Sequence, residues 1–326
     1  MGKASTLRNL GPTGLKITPI GLGCWQFSRG QGLGGKYWTY LDQSQVDEIV
    51  RLSLECGLNW FDTAESYGAG ESERALSRAL RAAGRRPGEV VIATKWMPLF
   101  RRASSILKTI DVRLKNLDGF PIDLYQVHNP YSFSRVEREM KAMAELMKEK
   151  KIASVGVSNF SAKRMRRASS ELKKHGLSLA SNQVRYSLLD RRIEANGVLD
   201  AARDLGTTII AYSPLAQGIL SGKFHDDPEL IKKRSGYRKY MRAFKKGGLE
   251  KSLPVVQVVR ELAVHHGVTP SQVALSWVVN NQGPLVVAIP GATSAEQARD
   301  NAGAMDVRLS REDLERLSAV SAGFKK

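Results

Sequence analysis

Apolar residues along this chain fall into two alternating registers. Short continuous runs rich in Val, Ile and Leu occupy 58–62, 90–95, 122–128, 153–158, 179–183, 207–212 and 285–289, lengths that suit strands buried on both faces. Between most of them lie longer stretches whose apolar positions recur every three to four residues, the period of an amphipathic helix. The first such stretch is punctuated at both ends. Ser44 stands as N-cap with Asp47 three residues on, Val46, Ile49, Val50, Leu52 and Leu54 follow, and Gly57 lies just past the end. Further helices are expected over 71–83, 104–117, 135–150, 162–175 and 193–205. Residues 7–18 read as two short strands around Gly11-Pro-Thr-Gly14, hence a hairpin, and a further strand is expected near 20–25.

After 207–212 the rhythm changes to a long loop. A helix over 253–266 ends at Gly267, and Thr269-Pro270-Ser-Gln272 opens another with a cap, a proline at the first helical position and a glutamine closing the box. Helices over 294–304 and after Ser310-Arg-Glu-Asp313 complete the chain. Strands and helices alternating in this way predict a parallel sheet, and eight such units predict closure. The expected fold is α/β, a (β/α)8 TIM barrel with an N-terminal β-hairpin and extra C-terminal helices. No proline- or serine-rich linker interrupts the series, so residues 1–326 are expected to form a single domain.

Composition narrows the function classes. The chain has 326 residues, 42% of them hydrophobic, ample for one large core. It has no run of about 18 apolar residues, so no membrane span is expected. Met1-Gly-Lys-Ala-Ser lacks the apolar core of a signal peptide, and the expected location is cytoplasmic. Cys24 and Cys56 are the only cysteines, too few for a disulfide framework or a thiolate metal cage, and both sit in apolar surroundings. The 50 Lys+Arg against 32 Asp+Glu give a net charge of +18. Such a field concentrates anions, a dinucleotide phosphate and nucleic acid alike. No nucleic-acid module accompanies the charge, and the basic clusters fall mostly beside predicted helices, so nucleic acid is not the expected partner. Oligomeric state cannot be read from the sequence.

The candidate chemistry sits at strand ends. One apolar run ends on Asp62, with Tyr67 five residues later before Gly68; another ends on Lys95, and a third on His128. In a parallel barrel these ends share one rim. The grouping suits proton donation to a carbonyl. A free phenol has a pKa of roughly 10, and an ammonium beside it favours phenolate, so Lys95 is expected to lower the pKa of Tyr67 while Asp62 keeps Lys95 charged and in place. His128 would orient the substrate oxygen. The plainer reading is a structural Asp62–Lys95 salt bridge, a half-buried Tyr67 and a satisfied core His128; four such groups on one rim weigh against it.

With Gly21-Leu-Gly-Cys-Trp25, Asp62-Thr-Ala-Glu-Ser-Tyr-Gly68, Thr94-Lys95, Val127-His128, Gly156-Val-Ser-Asn-Phe160, Asn182-Gln183, Tyr212-Ser-Pro-Leu215 and Ile289-Pro-Gly291 in this order, nearly the whole chain resembles the aldo-keto reductases. These are NAD(P)H-dependent carbonyl reductases, and the pattern is closest to the branch of the potassium-channel β-subunits and their bacterial and archaeal relatives. The resemblance implies Asp62, Tyr67, Lys95 and His128 as the catalytic tetrad. It implies that Ser158, Asn159 and Gln183 hold the nicotinamide carboxamide, that Tyr212 stacks on the ring, and that Trp25 and Gln31 stand beside the cofactor. Ser213, Leu215, Gln217, Gly218 and Lys223 would serve the pyrophosphate, with Arg234 folding back over it in competition with Lys232 and Lys233. Gly291, Thr293 and Gln297 would take the 2′-phosphate, and Asp300 and Asn301 the adenine. Aspartate at 300 replaces the family's usual glutamate. NADP(H) is preferred to NAD(H), because no acidic residue stands near an obvious ribose-binding position. Trp25, Trp38, Trp96 and Tyr131 are candidate walls for an aldehyde, ketone or sugar substrate, and the aromatic-cationic segment 237–246 reads as a lid. No metal is called for. The alternative is an NADPH-binding regulatory subunit with weak or no turnover, as the channel β-subunits are, but those lack the equivalent of His128.

Overall fold

The computed structural model describes residues 7–31, 37–232 and 237–326. Eight parallel strands lie in sequence order: β3 (Leu22–Gly23), β4 (Trp60–Asp62), β5 (Val91–Trp96), β6 (Leu124–Val127), β7 (Val155–Ser158), β8 (Leu179–Arg185), β9 (Thr208–Tyr212) and β10 (Val286–Ile289). Bridges from Ile20 to Ala288 and from Gly23 to Gly291 join the first strand to the last, so the sheet closes into a (β/α)8 barrel. A two-stranded antiparallel hairpin, β1 (Arg8–Asn9) and β2 (Lys16–Ile17), precedes it.

The strand period of two explains where each side chain goes. Trp60, Ala93, Leu124, Ile210, Val287 and Ile289 point inward and pack with Leu10 and Ile17 of the hairpin region into one buried cluster inside the barrel. Their neighbours face out against the helices in a much larger core. On that inward parity the residue two places after Trp60 is Asp62, and the one two places after Ala93 is Lys95. The C-terminal rim therefore receives polar groups on the very face that is filled with apolar side chains lower down.

Most helices lie where the periodicity puts them: α1 (Gln43–Glu55), α2 (Glu71–Ala82), α3 (Ser104–Asn116), α4 (Val136–Lys148) and α5 (Ala162–Lys173). Four local expectations change. Helix α1 is capped by Asp42, not Ser44, through a reciprocal box with Gln45 two residues upstream of the expected start. The stretch after Trp25 coils into a 3-10 turn, Trp25–Ser28, leaving β3 only two residues long. The expected helix over 193–205 is divided: a 3-10 turn, Arg192–Glu194, ends at Ala195, and Gly197, at φ 78°, opens α6 (Val198–Leu205). The helix expected from 253 begins at Lys246 and carries Pro254 inside its first turns. No described helix is long and apolar enough to cross a membrane.

Candidate active site

The four groups expected at the rim converge. Lys95 and Asp62 are fully buried and form an ion pair, Lys95 Nζ donating to Asp62 Oδ1. The ammonium also donates to the Thr63 carbonyl at 2.8 Å and to the Tyr67 hydroxyl at 3.5 Å, so all three of its hydrogens have acceptors. The second Asp62 oxygen accepts from Gln183 Nε2 at 2.8 Å and Gln126 Nε2 at 3.1 Å. One carboxylate thus ties the ammonium to the amide that ends the inward face of β8. The loop carrying Tyr67 closes against the 3-10 turn through Gly68. Its φ is +66°, and a Cβ there would stand 2.4 Å from the Ser28 carbonyl oxygen, so only glycine permits the approach. His128 meets the Tyr67 ring edge to face at 5.6 Å, and its Nδ1 lies 3.3 Å from the Ser66 hydroxyl.

Burial reverses one electrostatic expectation. The Tyr67 hydroxyl has its pKa raised, because desolvation of the phenolate outweighs the pull of Lys95 in the opposite direction. Burial also disfavours the Lys95 ammonium, but Asp62 and Tyr67 more than offset it and hold that pKa above its ordinary value. Burial, with Lys95 nearby, pushes His128 down to about 3, so the imidazole is neutral at physiological pH. The site therefore holds a protonated phenol, a charged lysine and a neutral histidine.

Glu65, two residues before Tyr67, supports this loop. Its carboxylate accepts from Arg113 at 2.7 Å, from Arg101 and from the Met97 backbone N–H. Arg113 also pairs with the fully buried Glu73, which accepts from the Thr94 hydroxyl at 2.7 Å. A buried charged network therefore joins Glu65, on the loop before Tyr67, and Glu73 to the Thr94 hydroxyl and the Met97 backbone on either side of Lys95, a role the spacing of these residues does not reveal.

From the tetrad a cleft of about 1000 Å³ extends across the rim. Asn159 is held in the left-handed region at φ 60° by bonds from its side-chain nitrogen to Asn129 and Ser158 and from the Tyr212 hydroxyl to its oxygen. Ser158 donates to the Gln183 carbonyl at 2.9 Å. Ser213, Leu215, Gln217, Gly218 and Lys223 line the next stretch. Ser213 and Gln217 are again left-handed, at φ 50° and 59°. Such backbone costs about 1–3 kcal/mol per residue and clusters at functional sites. The far end is lined by Gly291, Thr293, Gln297, Asp300 and Asn301 around the start of α9 (Ala295–Gly303, after α7 Lys246–His266 and α8 Pro270–Asn280).

These residues fit a nicotinamide dinucleotide. Amides and an aromatic ring stand beside the tetrad, a cation and a tight loop in the middle, and a helix N-terminus at the end. Gln26 lines the cleft, and its side-chain oxygen, itself buried, has no hydrogen-bond partner among the described residues.

Other expected residues fall elsewhere. Trp25 and Trp38 line the cleft beside Tyr67, the Trp25 and Tyr67 rings stacking at 5.8 Å. Trp96 does not: with Lys95 facing inward, the next side chain must face out, and Trp96 is buried in the helical layer with its indole N–H on Ser105. Tyr131 is 65% exposed and outside the cleft lining, on the loop after β6. Gln31 is exposed and does not reach the cleft either, because the left-handed Arg29 and Gly30 turn the chain outward after the 3-10 turn. Lys233 and Arg234 lie outside the described residues, and Lys232 is an exposed partner of Glu229.

Sequence reasoning passed over Tyr37, Arg185 and Ser271, which line the cleft together with Arg238 of the expected lid. Tyr37 stacks on Trp25 at 4.7 Å and donates to Gln217 at 2.8 Å, while Arg238 lies 4.4 Å over the Trp38 ring. Arg238 and Met241 of the segment expected as a lid therefore border the cleft, and the mixed aromatic and cationic sequence was the available signal.

The model of the Aldo/keto reductase family matches residues 19–322. The chain belongs to that family. Aldo-keto reductases use nicotinamide cofactors and act on small carbonyl compounds. The chain is 36% identical over 318 residues to an uncharacterized oxidoreductase of Mycobacterium tuberculosis, covering 95% of this chain and 91% of that one. The glycerol dehydrogenase of Gluconobacter oxydans superposes with a TM-score of 0.83 at 27% identity, over 99% and 97% of the two chains. An aldo/keto reductase of Klebsiella pneumoniae, solved with NADP and acetate, superposes with a TM-score of 0.73 at 26% identity, over 96% and 95%.

Proposed function

We propose that this aldo-keto reductase reduces the carbonyl of an aldehyde or ketone with NADPH, Tyr67 giving the proton. The observation carrying this reading is the Tyr67 hydroxyl 3.5 Å from Lys95 Nζ on the wall of a cleft that suits a dinucleotide. The cofactor, when bound, supplies the hydride. Tyr67 remains a neutral acid until a carbonyl oxygen gains negative charge, and its O–H then donates to that oxygen. Lys95 stabilises the phenolate left behind, and Asp62 holds Lys95 charged and in position. His128 is neutral, with Nδ1 3.3 Å from the Ser66 hydroxyl; in the tautomer whose Nδ1 accepts from Ser66, its Nε2–H donates to the same carbonyl oxygen. In the reverse direction the Tyr67 phenolate, stabilised by Lys95, accepts the alcohol proton.

Asn159, Ser158 and Gln183 hold the carboxamide in this scheme, and Tyr212 presents its ring face. The preference for NADP(H) rests on Thr293 and Gln297 at the opening of α9 and on the +18 net charge. Of the two carboxylates at that end, Glu296 in the first turn of α9 is exposed and outside the cleft lining, and Asp300 accepts from the Thr269 hydroxyl at 2.7 Å, serving the cap of the preceding helix instead of a ribose. The cleft draws its walls from Gly23 through Asn301, in keeping with one catalytic unit. The test is cofactor oxidation across aldehydes, ketones and sugars, with NADPH and NADH compared. Faster consumption of NADPH is expected, and no consumption of either cofactor with any carbonyl would overturn the reading.

A further inference from the structure

The cleft wall does not end at the tetrad. Met97 and Leu99, on the loop after β5, continue its lining outward, and Leu99 is 46% exposed. The next residue, Phe100, is 77% exposed, and Phe133, on the loop after β6, is 65% exposed. Their rings meet at 6.3 Å and 52°. Single exposed aromatics are ordinary, but two in mutual contact beside a site opening are not. Phe100 is also held at φ +57°, a conformation that bulky residues rarely adopt. The loops that bear the pair are fixed to the site. The Phe133 N–H donates to the Arg101 carbonyl at 2.9 Å, and the Arg101 side chain reaches the Met97 carbonyl, Ser105 and Glu65. The outward aromatics therefore stand on a braced support.

We propose that Phe100 and Phe133 form an apolar ledge for the tail of the carbonyl substrate, so that the preferred substrates are aldehydes or ketones with an extended alkyl or aryl chain. This rests on the reductase reading above and adds a subsite to it. The reacting carbonyl sits at Tyr67 and His128, the chain leaves over Met97 and Leu99, and its end lies against the two rings. The occupant is assigned from position: Met97 and Leu99 line the cleft, and Phe100, which follows Leu99 in the chain, brings the exposed pair to the outer margin of that lining.

The test compares straight-chain aldehydes from butanal to decanal on wild type and on the double variant F100S/F133S, whose changes are exposed and leave the core alone. Full burial of a methylene is worth a factor of about four, and one-sided contact with a ledge about twofold. In wild type kcat/KM should rise about twofold per methylene over the longer members. In the variant that rise should flatten, lowering kcat/KM for decanal about tenfold while butanal and NADPH affinity stay unchanged. Calorimetric binding of decanamide against butanamide, with NADPH present, reads the same ledge without turnover and should lose its chain-length preference in the variant. Equal slopes in the two proteins would overturn the proposal. So would a variant whose only change is loss of self-association in sedimentation, which would make the ledge a contact between copies. If no aldehyde is turned over, the reductase reading has failed, and the amide comparison still decides the ledge.

Discussion

Replacing Asp62 by Asn removes one charge while nearly preserving volume. The carboxylate now accepts from Lys95, Gln183 and Gln126, and both it and the ammonium are buried. An amide can accept at one oxygen only, and its new NH2 would face the donor of Gln126 or Gln183. Breaking a buried pair from one side costs about 3–5 kcal/mol. At about 2 °C per kcal/mol for a chain of this size, the melting temperature should fall by roughly 6–10 °C. The catalytic loss has a separate source. Without Asp62 the desolvated Lys95 loses its main compensating charge and releases its proton. A phenolate 3.5 Å from an ammonium is favoured by roughly 4–5 kcal/mol at an effective dielectric of about 20, so kcat should drop by about three decades. Thermal unfolding and steady-state reduction of a short aldehyde measure the two effects. A variant melting within about 2 °C of wild type and turning over within about threefold would refute the argument that this pair sustains the proton donor.

His128 makes stability depend on pH in a defined direction. Its folded pKa, near 3, lies below its ordinary 6.5, so the unfolded chain takes up the proton first as pH falls. The contribution is complete above about pH 6.5 and is lost progressively towards pH 3, at up to about 1.4 kcal/mol per pH unit. Denaturant midpoints between pH 7 and 4.5 should therefore fall more steeply for wild type than for His128→Gln; parallel slopes would contradict the buried neutral imidazole. Glu65→Gln should destabilise by about 2–3 kcal/mol, since Arg113 keeps Glu73 but loses its second carboxylate. Because the network grips the Tyr67 loop, the same variant should lower kcat while leaving the dissociation constant for NADPH unchanged, and rates with and without the change decide it.

The barrel was legible in the sequence because each strand is a buried apolar run and each helix carries its own stripe and punctuation. The tetrad was legible because three of its members end such runs on one parity. That same parity excludes Trp96, one place after the inward-facing Lys95, so the misplacement of that indole was avoidable from the chain alone. Other features lie beyond local pattern. Tyr37 reaches Gln217 and Arg238 covers Trp38 through loops distant in sequence, and no periodicity encodes those encounters. The left-handed backbone at Ser213, Gln217 and Phe100 is equally silent, since none of these residue types signals it as glycine or asparagine does. The reversed direction of the Tyr67 shift has a similar origin. Proximity to Lys95 could be anticipated, whereas the completeness of burial around the phenol depends on the assembled rim.

Tyr67→Phe tests the proton donor most directly, because it deletes one oxygen and keeps the ring that stacks beside Trp25. Carbonyl reduction should fall by about two to four decades, the usual worth of a positioned acid, while NADPH titrated by fluorescence binds as in wild type. Undiminished turnover by the phenylalanine variant would mean that the proton comes from somewhere other than residue 67.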